Sequence, residues 1–145
     1  MSDYTNFDGT VHPANGYGEV FYADSWRTNM MLAVDYSWFA ADEWQIEQTN
    51  RYQSFFHKLG IGKYNTQFNI DGTPAGNQHR SLGLTAMIAA SSLAASDSQA
   101  WDFIQEFWDT PLTTGQYRYY DGLLDMLALL QLSGNFRVYA PPTAS

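Results

Sequence analysis

Cysteine is absent from all 145 residues, which removes disulfides, thiol nucleophiles and zinc–thiolate sites together and leaves the redox compartment undetermined. Charge is scarce, at 15% of residues, and cations scarcer still: seven Lys and Arg stand against fifteen Asp and Glu, for a formal net charge of −8. That balance repels phosphates and anionic lipid, so nucleic acid and membrane surfaces are excluded as partners, while neutral polysaccharides remain compatible. No apolar run approaches the roughly 18 residues that mark a membrane span. Met1–Tyr17 is polar and rich in Gly, Asn and Asp, unlike a signal peptide, and reads as a surface loop from the middle of a larger protein. No phosphate-binding glycine loop, nucleophile elbow or HExxH zinc motif is present. His12, His57 and His79 are too far apart for metal-ligand spacing, so neither metal nor cofactor is expected.

Aromatic residues, by contrast, reach 17%, with five Trp, ten Tyr and nine Phe. Such a load suits a large aromatic core and equally a groove where flat rings stack on flat ligands such as sugars.

Periodicity and turn signals predict an all-α chain of five helices. The first covers about 24–40, with Trp26, Met30, Val34 and Trp38 as one apolar stripe. The second opens at Asp42, an N-cap with Gln45 behind it, and closes at Gly60; Trp44, Tyr52, Phe55, Phe56 and Leu59 are its expected buried face. The short joint between them makes an antiparallel pair. A short strand over 64–70 precedes the turn Asp71-Gly72-Thr73-Pro74. Helix three covers about 81–95, its Ala and Ser permitting close approach. Helix four covers about 98–108, with Trp101, Ile104 and Trp108 inward, and stops before Pro111. Helix five, about 121–132, is apolar nearly all round and should be buried on most sides. Gly134 caps it, 136–139 forms a last extended piece, and 141–145 is a loose tail. Asp8-Gly9-Thr10 and Asp71-Gly72-Thr73 each lead into a helix pair, the grammar of a helical toroid.

Three patches could carry chemistry. In Phe21-Tyr22-Ala23-Asp24-Ser25-Trp26-Arg27, Asp24 stands where a loop becomes a helix. One reading makes it an N-cap paired with Arg27. The other points it into a groove of Trp and Tyr, where an ionised carboxylate can take a proton from water. In Gln116-Tyr117-Arg118-Tyr119-Tyr120-Asp121, the tyrosines suit a sugar-contacting rim or the edge of the core, with Asp121 capping the helix. Asn77-Gln78-His79-Arg80 is a polar cluster opening helix three, in which a lone His is commonly structural.

These patches resemble glycoside hydrolase family 8, from Phe7-Asp8-Gly9-Thr10 through Tyr22–Arg27 and Ala33-Val34-Asp35-Tyr36-Ser37-Trp38 to Tyr117–Leu124 and Ser133-Gly134-Asn135-Phe136-Arg137. The closing blocks look most like its xylan-active branch, which includes reducing-end xylose-releasing exo-oligoxylanases. The resemblance implies that residues 1–140 are the C-terminal part of a catalytic domain, antiparallel helix pairs forming about half of an (α/α)6 barrel. It implies inverting hydrolysis of β-1,4-linked xylan, xylo-oligosaccharides or β-glucan, with Asp24 as general base. Arg27, Tyr22, Tyr117, Tyr120 and His79 then contact substrate. The family's general acid is a glutamate on a segment that this chain does not contain. Inversion needs two carboxyl groups roughly 6.5–9.5 Å apart. The isolated chain is therefore expected to be inactive or weak, and completed by a missing N-terminal half or by self-association over an exposed apolar edge. A non-catalytic carbohydrate-binding or interaction module is the alternative.

Overall fold

The computed structural model describes residues 1–14, 16, 18–76 and 79–139. Asn77, Gln78 and the tail at 141–145 lie outside the described residues. Five helices form the bundle: α1 (Trp26–Phe39), α2 (Trp44–Leu59), α3 (Leu82–Ser91), α4 (Ala100–Asp109) and α5 (Arg118–Leu132). The fold is predominantly α-helical and matches part of an (α/α) barrel. Among the described residues no helix is long and apolar enough to cross a membrane.

The hub is α3. Every one of its ten residues is buried, and it packs against α5, α1 and α4. Gly83, Ala86, Ala89 and Ala90 bring neighbouring backbones close, as the small-residue composition implies. Ser81 caps the helix, its Oγ accepting from the Gly83 N–H at 3.0 Å. The α-helix passes into a 3-10 turn at Ser92–Ala94.

Helices α1 and α2 are antiparallel, because Asn29 pairs with Thr49 (3.3 Å) and Asp35 with Gln45 (2.8 Å), in reverse order. The seam that α2 buries is polar: Gln45 and Thr49 face Asp35 and Asn29 of α1, and Gln53 faces the end of α3, beside Phe56. This corrects the expected face of α2. Trp44 and Leu59 are exposed, and Tyr52 and Phe55 are only partly buried, since the amides and hydroxyls have partners across the seam and take the inner row. Asp42 does cap locally, its Oδ1 accepting from Trp44 N–H at 2.8 Å.

Two other faces are also rotated from expectation. In α4 the row Ala100, Phe103, Phe107 faces the hub, leaving Trp101 at 72% and Trp108 at 75% exposure. Both rows repeat at helical spacing, and the slimmer one fits beside the close-packed α3. In α5 the inner row is Asp121, Leu124, Asp125, Ala128 and Gln131, while Leu123, Met126, Leu129 and Leu130 face outward. The fully buried helix is α3, not α5.

Beneath the helices lies an aromatic cluster of Phe21, Tyr52, Phe55, Phe56, Tyr64 and Phe68, with ring centroids 5.0–6.4 Å apart. It packs around a two-residue antiparallel pair, β1 (Val20–Phe21) with β2 (Phe68–Asn69). Only this part of the strand expected over 64–70 forms. The 136–139 segment forms no strand; instead the Trp38 indole donates to the Phe136 carbonyl at 2.9 Å and the two rings stack.

The two Asp-Gly-Thr motifs prove to be one loop built twice, extending back to an asparagine: Asn6-Phe7-Asp8-Gly9-Thr10 and Asn69-Ile70-Asp71-Gly72-Thr73. In each, the Asp carboxylate accepts from the Thr N–H (3.0 and 2.9 Å) and the Thr hydroxyl (2.6 and 2.7 Å). The Asn side chain donates to that same hydroxyl (3.0 and 2.9 Å). The glycines take φ of 82° and 87°, which only glycine adopts freely.

Candidate active site

Three helix beginnings converge at one end of the bundle. Ser81, at the start of α3, donates from Oγ to Asp121 of α5 at 2.8 Å, and Thr113 donates to the other oxygen of Asp121 at 3.1 Å. Tyr120 of α5 donates to the Ala23 carbonyl, just before α1, at 2.5 Å. Asp121 therefore clamps two helices together instead of capping its own.

The turn Tyr22–Ser25 presents Asp24. Its backbone is held by Asp3, whose Oδ1 accepts from Tyr22 N–H (2.8 Å), Ser25 N–H (2.9 Å) and Ser25 Oγ–H (2.6 Å). Asp24 does not cap α1: the N-cap is Ser25, with no side-chain capping bond, and Asp3 braces the turn ahead of the helix while the Asp24 carboxylate makes its own side-chain contacts. One oxygen of Asp24 accepts from the Arg27 guanidinium. The other accepts from the Tyr4 hydroxyl at 3.1 Å. That bond, and then the charge of Asp24, hold the Tyr4 phenol above the ordinary tyrosine range.

Aromatic rings stand alongside. Trp26 meets Tyr22 edge-on at 5.6 Å and Tyr120 at 6.1 Å. Its indole is anchored to the Thr66 carbonyl at 3.0 Å. Burial is the first cause that raises the Tyr120 phenol. His79 and Tyr117 stack nearly parallel at 6.2 Å, both exposed, where α3 and α5 begin. The structure therefore gathers Asp24, Arg27, Tyr22 and Tyr120 into one cluster. Tyr117 and His79 form a second platform, joined to the first through the opening turn of α5.

This cluster is an open surface and not a closed pocket. The side chains of Asp24 and Arg27 are 45% and 42% exposed. Two half-open hollows lie elsewhere, one of about 290 Å³ bordered by Trp38, Gln131 and Phe136, another of about 170 Å³ over the aromatic cluster. Sequence reasoning missed Asp3 and Tyr4. Both act across about twenty residues of chain, and no local pattern signals such a contact.

No protein-family profile matches the chain. A reducing-end xylose-releasing exo-oligoxylanase of Paenibacillus barcinonensis is 41% identical over 140 residues, covering 94% of this chain and 37% of its own length. A family 8 glycoside hydrolase of Teredinibacter turnerae, solved with xylobiose, superposes with a TM-score of 0.90 at 36% identity, over 97% of this chain and 36% of that one. The chain is homologous to the family 8 glycoside hydrolases. The likeness is graded: endoglucanase C of Ruminiclostridium cellulolyticum is 27% identical over 136 residues, covering 94% of this chain and 29% of its own length. This chain thus spans well under half the length of the relatives that it matches.

Proposed function

We propose that this chain supplies the water-activating wall of an inverting glycoside hydrolase that acts on β-1,4-linked xylan or xylo-oligosaccharides. Asp24 is the general base. Arg27 and Tyr120 set its surroundings, and Tyr22, Tyr117 and His79 contact sugar. The observation that carries the reading is a half-exposed carboxylate, held by an arginine and a phenol beside three aromatic rings, at the converging ends of α1, α3 and α5. An inverting reaction needs such a group to deprotonate water on the face of the sugar opposite the leaving oxygen. The closer likeness to a xylose-releasing relative than to an endoglucanase favours xylose-based substrates.

The general acid lies on a segment outside this chain, and that segment builds the opposite wall of the cleft. It also covers α5, whose outward Tyr119, Leu123, Met126 and Leu130 recur at spacings of four, three and four, the pattern of a helix seam. In the full-length protein, proton NMR of xylo-oligosaccharide hydrolysis should show the inverted anomer first. A retained first anomer eliminates the mechanism. Asp24→Asn should lower kcat by on the order of 10²–10⁴ with the melting temperature unchanged. Substrate binding by a full-length protein that never turns over would instead make this surface a carbohydrate-binding module.

A further inference from the structure

Asp3 and Tyr4 are adjacent, and between them they touch both the backbone and the side chain of the Asp24 turn. We propose that Tyr4 is a positioning residue for Asp24, fixing the carboxylate so that a free lone pair faces the attacking water; this rests on the reading of Asp24 as the base.

The terminal torsion of an aspartate is broad, and an exposed carboxylate paired only with a half-exposed arginine on its own helix can swing together with that arginine. Tyr4 reaches Asp24 from a different element, so it restrains what Arg27 cannot. Its own segment is firmly placed. The Asp3 N–H donates to the Val20 carbonyl at 2.8 Å, the His12 N–H to the Tyr4 carbonyl at 3.1 Å, and Ser2 Oγ to that same carbonyl at 3.1 Å. The three bonds of the Asp3 carboxylate tie this segment to Tyr22 and Ser25. The hydroxyl and the base are therefore parts of one braced unit.

The chemistry is consistent with that placement. A phenol donating to an ionised carboxylate makes a charge-assisted bond, directional and stronger than a neutral one. It occupies Oδ2 while the guanidinium occupies Oδ1, and each oxygen keeps a second lone pair. The proton taken from water goes to one of these, and the water's oxygen attacks the anomeric carbon as the glycosidic bond breaks on the other face. Tyr4 gives up no proton. Its contribution is aim.

Two measurements test the proposal. On this chain alone, NMR titration of the Tyr4 ring should show ionisation above that of an ordinary tyrosine, moving down in Asp24→Asn. A Tyr4 titration indifferent to Asp24→Asn overturns the inference without any need for turnover. In the full-length protein, Tyr4→Phe keeps the ring and removes the donor. Its kcat should fall roughly tenfold, as for a slightly misaimed catalytic group, with KM unchanged and no further loss when added to Asp24→Asn. An unaltered kcat in Tyr4→Phe, while Asp24→Asn is inactive, overturns the positioning role and leaves the base standing. Full turnover in Asp24→Asn overturns the base itself. A kcat loss accompanied by a lower melting temperature makes Tyr4 merely structural, which also overturns the proposal.

Discussion

The loop at Asn6–Thr10 and the loop at Asn69–Thr73 share their hydrogen bonds, yet the helices that follow them have opposite fates. After the first, residues 11–25 intervene, and α1 begins with a half-exposed ion pair at Asp24 and Arg27. After the second, the shorter stretch 74–81 leads into α3, which has no exposed residue. The repeated loop is a joint. What the joint presents, chemistry or core, is decided by the connection after it and by the first turn of the helix.

That contrast can be broken most sharply at the second residue of each helix, Arg27 in α1 and Gly83 in α3. A methyl group at Gly83 would lie 2.7 Å from Asp121 Oδ1 and 3.0 Å from Leu124 Cδ1. Gly83→Ala should cost about 3 kcal/mol, the upper end of overpacking. Arg27→Ala should cost no more than about 0.5 kcal/mol, its exposed ion pair being well screened. Urea unfolding of the two variants measures the gap, and equal costs would erase the distinction between the helices.

The loops themselves should differ more modestly. Both glycines are left-handed, and an alanine there costs about 1–2 kcal/mol. Around Gly9 a methyl would meet nothing within 4 Å, whereas at Gly72 it would stand 3.1 Å from the Phe55 ring. Gly72→Ala should therefore melt lower than Gly9→Ala.

The smallest effect should be the same in both loops. Asp8 and Asp71 are held below the ordinary aspartate range, first by the threonine hydroxyl and then by the threonine N–H. A depressed folded value means that their stabilisation is complete above about pH 4 and drains away as pH falls through that value. Asp8→Asn and Asp71→Asn should each flatten the acid limb of the melting curve against pH, and by similar amounts. A flattened limb in only one would show that the loops are not equivalent.

Much of this was readable from the residues. Five helices, their order, the antiparallel first pair and the Asp24–Arg27 contact follow from periodicity, turn residues and i,i+3 spacing. The faces of α4 and α5 did not, because each carries two rows of suitable period and hydrophobicity cannot say which row meets the neighbour. In α5 the inner row includes Asp121 and Gln131, drawn inward by particular partners, Ser81 and Met30. Such pairings exist only after the chain has folded. Asp3 and Tyr4 escaped notice for the same reason.

The Gln53 amide donates to the Ile88 carbonyl at 3.2 Å, to Ser91 at 3.3 Å and to Ser92 at 2.8 Å, where the α-helical hub tightens into its 3-10 turn. An oily strip would let α2 slide a turn along its neighbour at little expense, one hydrocarbon replacing another. A polar side chain matched to one carbonyl and two hydroxyls gives the helix a single seat, since any slip would strand buried hydrogen-bonding groups. Through its hydrogen bonds with Asn29 and Asp35, α2 seated in this way also braces α1, the helix that follows the Asp24 turn.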